Sequence, residues 1–171
     1  ADAAPEAGAC EGTFTILRTW SLVDACGIAA DDQTQLITIS DNTAPTFTAP
    51  VAIEIFTDAN CDYDVTVGST GDVTDEADNC STPVVAFVSD ASDGLSCPET
   101  ITRTFSVTDN CGNQTTVDQL IIIMDMNAPI GDIASLPTLT GNCDITPSTA
   151  TATDNCDGAM SGTPDVALDR K

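Results

Sequence analysis

Eight cysteines and twenty-two aspartates are the residues of this chain whose chemistry can be read first. A thiol can ligate zinc, attack a carbonyl or close a disulfide, and its neighbours decide which. The 171 residues contain no histidine and no Cys-x-x-Cys pair, so the usual ligand sets of a structural zinc site are missing. Disulfides remain, and they imply an oxidising compartment, outside the cytoplasm or at the cell surface. The lack of histidine also removes the commonest general base, and no Gly-x-Ser-x-Gly or Ser-x-x-Lys arrangement replaces it. The expectation is a protein that is not an enzyme.

The aspartates point to turns or to metal. With 27 acidic residues against four basic ones, the formal net charge is -23. Phosphate-rich partners need clustered Lys and Arg, and there is no cluster, so neither nucleic acid nor an anionic membrane is expected as a partner. No apolar run approaches the twenty residues of a membrane span, so insertion is not expected either. Asp outnumbers Glu twenty-two to five, and its short carboxylate bonds nearby backbone in turns, caps and calcium loops. Asp41-Asn42-Thr-Ala-Pro45 and Asp125-Met-Asn127-Ala-Pro129 are similar to the calcium linkers between cadherin domains. Asp41, Asn42, Asp125 and Asn127, with Asp24, Asp109, Asp78 and Asp154 from nearby loops, form a candidate Ca²⁺ ligand set. The simpler alternative is that each Asp-Asn caps a turn before proline.

The elements that must position these residues follow from a repeat. Arg18-Thr-Trp-Ser-Leu-Val-Asp-Ala-Cys26-Gly returns as Arg103-Thr-Phe-Ser-Val-Thr-Asp-Asn-Cys111-Gly, and Cys61-Asp with Asp78-Asn-Cys80 returns as Cys143-Asp with Asp154-Asn-Cys156. The period is about 80 to 87 residues. Residues 46–129 read as one complete module, 1–45 as the C-terminal half of another and 130–171 as the N-terminal half of a third. Short strands are expected at Val51 to Phe56, Tyr63 to Val67, Val84 to Ser89, Ile101 to Thr108 and Thr116 to Met124. Ile101, Arg103, Phe105 and Val107 share one face by alternation, as do Ile16, Arg18, Trp20 and Leu22, so Trp20 is expected in a core like Phe105. Arg18 and Arg103 are expected at the core edge in a structural ion pair with an Asp, the alternative being a ligand-binding arginine. The fold class is all-β: tandem antiparallel immunoglobulin-like β-sandwich modules with disulfides.

Strand geometry constrains the pairing of the cysteines. Cys97 and Cys111 flank a strand of about 3.3 Å per residue, too far apart for a bond that needs Cα atoms within roughly 7 Å. Cys61 with Cys97 and Cys80 with Cys111 are therefore expected; neighbours in sequence, Cys61 with Cys80 and Cys97 with Cys111, are the runner-up. Cys10 and Cys26 match Cys97 and Cys111, while Cys143 and Cys156 match Cys61 and Cys80. The two ends are complementary halves, so the tail of one copy is expected to complete the head of the next, in one long array or in a head-to-tail fibre.

The run from Cys97-Pro-Glu-Thr-Ile-Thr-Arg through Asp-Asn-Cys111-Gly-Asn to Asp125-Met-Asn-Ala-Pro129 resembles the HYR-type immunoglobulin-like repeats of Bacteroidota cell-surface adhesins, the SprB-like gliding proteins among them. The resemblance implies an exported adhesin or filament whose partners are neighbouring repeats, copies of itself, or a surface glycan or receptor. A calcium-dependent carbohydrate-binding module is the alternative function. Sugar sites usually present aromatic platforms, and with Trp20 placed in a core only Tyr63 is left to form one.

Overall fold

The computed structural model describes residues 1–141 and 147–163, so Cys143 lies outside the described residues. Strands form where β-branched and apolar residues alternate, and turns where Asp, Asn and Gly interrupt them. In chain order they are β1 (Glu6–Ala7), β2 (Phe14–Trp20), β3 (Gln33–Ile39), β4 (Ile53–Phe56), β5 (Val84–Ser92), β6 (Glu99–Thr108), β7 (Gln114–Met124), β8 (Ile130–Gly131), β9 (Thr151–Asp154) and β10 (Gly158–Ser161). One helical turn, α1 (Val67–Thr70), is the only helix among the described residues. The strands make three sheets, ordered β1-β2-β3, β4-β7-β6-β5 and β10-β9-β8. The described residues are therefore β-rich with almost no helix.

Two compact units are present, each discontinuous in sequence: one from residues 1–51, 71–90 and 103–119, the other from 52–70, 91–102 and 120 onward. In the first, β2 and β3 run antiparallel from Phe14 opposite Ile39 to Trp20 opposite Gln33. The turn between them is built by Asp24, whose Oδ1 accepts the Cys26 and Ile28 amides at 2.9 and 2.8 Å. Asp109 repeats the device on Cys111 and Asn113, both at 2.8 Å. Each turn then passes through a left-handed glycine, Gly27 (φ 82°) or Gly112 (φ 90°), which explains why the repeated run reads Asp-x-Cys-Gly.

Two expectations about the strands need correction. β4 pairs with β7 in parallel, Ile53 opposite Ile121 and Phe56 opposite Met124, so the sheet is not purely antiparallel. Residues 63–66 form no strand: the Asp64 carboxylate accepts the Thr66 amide at 2.8 Å and the Ser69 hydroxyl, closing a turn ahead of α1 instead.

Burial follows the alternation in β6, where Ile101, Arg103, Phe105 and Val107 are all buried. Ile101, Ile121 and Ile123 form the core of the second unit, with Ile53, Ile55 and Val65 packed against them. The matched positions in the first half-repeat behave differently. Trp20 is 57% exposed where Phe105 is 1%, and Leu22 is 72% exposed where Val107 is fully buried. Trp20 is thus not a core residue. β6 and β7 are flanked by β5 and β4, whereas β2 and β3 have only the two-residue β1 beside them.

Candidate functional site

Among the described residues two disulfides are present, Cys10 with Cys111 and Cys61 with Cys156, each with Cα atoms 5.2 Å apart. Neither expected pair, Cys61 with Cys97 nor Cys80 with Cys111, is formed. Cys26 and Cys97 are exposed free thiols and Cys80 is a half-buried one. The strand-length reasoning barred only the two ends of one strand from joining; it did not confine partners to one repeat. The bonds span 101 and 95 residues, each longer than one period. Since Cys10 stands at the place of Cys97 one repeat earlier, the first bond joins a Cys97-type residue to the Cys111-type residue of the following repeat. The second joins a Cys61-type residue to the Cys80-type residue of the following repeat, because Cys156 stands at the place of Cys80.

Beside the first disulfide, Asp41, Asp78 and Asp109 bring carboxylate oxygens within 4.8 Å of one another. Three different loops supply them: the strand-end linker, the Asp-Asn-Cys80 turn and the Asp-Asn-Cys111 turn. Asp109 is fully engaged, its Oδ1 accepting two amides and its Oδ2 the Asn113 side-chain amide at 2.7 Å. Burial pushes its pKa up, but the Asn113 and turn-amide hydrogen bonds outweigh this and leave it below the ordinary range. Asp78 Oδ2 accepts the Cys80 and Ser81 amides at 2.9 Å each, and the bond from Cys80 holds this carboxyl low against desolvation. Asp41 Oδ1 accepts the Thr43 amide at 3.0 Å.

The remaining oxygens, Asp41 Oδ2 and Asp78 Oδ1, are buried without a hydrogen-bond partner, and Asp41 is only 8% exposed. Buried carboxylates packed together without partners are costly unless a cation neutralises them. An all-oxygen donor set of this charge suits a hard divalent ion such as Ca²⁺. Asp41 Oδ2 and Asp78 Oδ1 are the oxygens that could be offered to such an ion. The neighbouring Cys80 thiol is raised by burial first and then by the charges of Asp41 and Asp78. Gly12 (φ 76°) lets the Cys10 loop lie against it, since a Cβ there would stand 2.8 Å from the Cys80 Cβ.

The same arrangement recurs one repeat later, where Asp125, Asp154 and Cys156 converge. They are the counterparts of Asp41, Asp78 and Cys80. Asp154 Oδ1 accepts the Asp157 and Cys156 amides, which lower its pKa, and Asp125 Oδ1 accepts the Asn127 amide at 2.8 Å. Cys156 is in a disulfide and offers no thiolate, so this second cluster has two carboxylates to give. Of the residues expected to hold metal, the structure therefore brings Asp41 and Asp109 together with Asp78, and Asp125 together with Asp154. Asp24 belongs to neither cluster, and the exposed Asn42 side chain donates to Ser40. The sequence signal for Asp78 and Asp154 is the shared Asp-Asn-Cys, which Asp109 also carries.

Arg18 and Arg103 are each held by an aspartate in a two-pronged contact. Arg103 donates to Asp90 at 2.8 and 2.7 Å, with its side chain 4% exposed and the guanidinium 5.5 Å from the Phe87 ring centre. Arg18 donates to Asp2 at 2.7 and 2.9 Å in a half-exposed setting and lies 5.7 Å from the centre of Trp20. Among the described residues no helix is long and apolar enough to cross a membrane. No family model, curated protein or solved structure matches the chain.

Proposed function

We propose that the chain is an extracellular, non-catalytic structural and adhesive repeat protein: a load-bearing acidic stalk or surface filament in which each repeat is covalently tied to the next. The observation that carries this is the length of the two disulfides, each of which exceeds one sequence repeat and so ties segments of consecutive repeats together within one compact unit. A bond that joins segments of consecutive repeats resists their separation under load. Calcium at Asp41, Asp78 and Asp109 would pin the linker to two loops of the following repeat and stiffen the same junction. The motif similarity to HYR-type repeats of Bacteroidota adhesins supports the same assignment, with export to the cell surface, where disulfides persist.

Force spectroscopy on the whole chain tests this. Pulled from its ends when oxidised, the chain cannot extend the residues enclosed between Cys10 and Cys111. Reduction should release that hidden length, about 350 Å for a separation of 101 residues at roughly 3.5 Å each. Equal extension before and after reduction would defeat the proposal.

A second reading, calcium-dependent carbohydrate binding, is favoured by the exposure of Trp20, which supplies the aromatic platform otherwise missing. Glycan-array binding that is lost with a chelator and with Trp20→Ala would select it; the stalk reading expects no such binding.

A further inference from the structure

We propose that the cation site at Asp41, Asp78 and Asp109 and the Cys10–Cys111 disulfide form one coupled lock, in which a bound Ca²⁺ and the intact bond each strengthen the other. Such a lock takes the calcium reading above as its premise and adds the regulation of the site, whose affinity then depends on the redox state of the bond. The premise has a basis beyond a group of acidic residues. Asp41 is 8% exposed, its Oδ2 is buried without a hydrogen-bond partner, and its carboxylate lies within 4.8 Å of those of Asp78 and Asp109. Asp78 Oδ1 is a second buried oxygen without a partner. A desolvated, unpaired carboxylate beside two others is the environment in which a divalent cation is most stabilising.

The bond and the site share their loops, all of them in the first compact unit. Asp109 Oδ1 accepts the Cys111 amide at 2.8 Å, so the turn that carries one sulfur also places one carboxylate. Asn113 on the same turn donates to Asp109 Oδ2 at 2.7 Å and to the Asp41 carbonyl at 3.3 Å, which ties the strand-end linker to it. On the other side of the bond, the Cys10 loop touches both of the turns that supply Asp78 and Asp109. Its Gly12 lies against Cys80, whose amide is held by Asp78 Oδ2 at 2.9 Å. Its Glu11 carboxylate accepts the Asn110 side-chain amide at 3.3 Å. Reduction frees the Cys10 loop and the Cys111 turn from each other. The cation must then order loops that the bond had already fixed, and that ordering is subtracted from its affinity.

Coupling between two events on one folded unit is reciprocal. The factor by which the bond tightens Ca²⁺ is the factor by which Ca²⁺ favours the bond over the two thiols. For a two-electron couple, each factor of ten lowers the reduction potential by about 30 mV. With dithiothreitol as reductant, one of its thiolates attacks the Cys10–Cys111 bond and gives a mixed disulfide; its second thiol then closes the ring and releases the protein thiol. One S–S bond breaks in the protein and one forms in the reagent, and two electrons and two protons pass to Cys10 and Cys111. The staple is thereby hardest to reduce where calcium is abundant.

The test uses the full chain and Ca²⁺ itself. Calorimetry compares Ca²⁺ binding to the oxidised chain and to the Cys10→Ser, Cys111→Ser double variant, whose affinity should be roughly tenfold weaker. A redox titration of the unsubstituted chain gives the same answer even if the double variant fails to fold. The chain is equilibrated in oxidised and reduced dithiothreitol at fixed ratios, quenched in acid and alkylated, and the labelled fraction is read on peptide 7–11, which cleavage at Glu releases around Cys10. Saturating Ca²⁺ should lower the potential by about 30 mV for a tenfold coupling, and Asp41→Asn should abolish the shift. An unmoved potential with Ca²⁺ bound, or a shift that persists in Asp41→Asn, would overturn the coupling while leaving the calcium reading in place. If the oxidised chain binds no Ca²⁺, or binds it equally well as Asp41→Asn, the calcium reading itself has failed and the lock with it.

Discussion

Asp41 has one oxygen bonded to the Thr43 amide and the other buried without a partner beside two more carboxylates. Its charge is a liability without a cation and an asset with one, so Asp41→Asn has opposite effects in the two conditions. In chelator the variant should melt at or above the wild-type temperature, because like-charge repulsion is relieved. In millimolar Ca²⁺ it should melt below wild type, because ligand binding to the native state no longer stabilises it. Calorimetry showing no Ca²⁺-dependent shift in the wild type would remove the metal from the site. Arg18 and Arg103 make a second contrast at this scale. Arg103→Ala leaves Asp90 without its partner and opens a gap beside Phe87, at a cost of about 3 kcal/mol. Arg18→Ala, in a half-exposed and solvent-screened pair, should cost much less. Urea denaturation of both variants separates the cases, and equal effects would mean that burial does not govern them.

At the scale of elements, the alternation in β6 was legible because Ile101, Phe105 and Val107 are spaced by two and each has a partner layer to bury it. The identical alternation in β2 misleads at Trp20 for a physical reason. Periodicity says which residues share a face, while burial depends on what lies opposite, and β2 and β3 have only β1 beside them. Phe105→Ala should therefore cost about 3–5 kcal/mol, and Trp20→Ala in the unassembled chain less than about 1 kcal/mol. Comparable losses at both positions would contradict the exposed placement of Trp20. Tyr63 to Val67 has the residue types of a strand, but the Asp64 carboxylate accepts the Thr66 amide and the Ser69 hydroxyl and turns the chain instead. The turns were more readable than the strands, since Asp-x-Cys-Gly states both the acceptor and the left-handed residue the turn requires. These turns carry a pH signature. Asp78, Asp109 and Asp154 are held below the ordinary carboxylate range by amide donors. A lowered folded pKa contributes stability that is complete above the unfolded value near 4 and disappears as pH falls through the folded values. The melting temperature should hold down to about pH 4 and drop below it. A rise under acid would mean that relief of the -23 net charge outweighs the turn bonds.

For the whole molecule, the repeat was visible in the sequence but its consequence for the cysteines was not. Counting four cysteines per module invites pairing within the module, and no local geometry distinguishes a partner in the same repeat from its equivalent in the next. Loops of this size are stabilising because crosslinking removes chain entropy from the unfolded state, about 4–5 kcal/mol each in that model. They also tie segments of consecutive sequence repeats into one compact unit. Digestion of the oxidised chain at Glu and Arg under non-reducing conditions tests this directly, since Cys10, Cys61 and Cys111 fall in different peptides. Cross-repeat pairing predicts peptide 7–11 joined to 104–170 and peptide 55–76 joined to 104–170. Peptide 55–76 joined to 77–99, with 7–11 unlinked to 104–170, would contradict it.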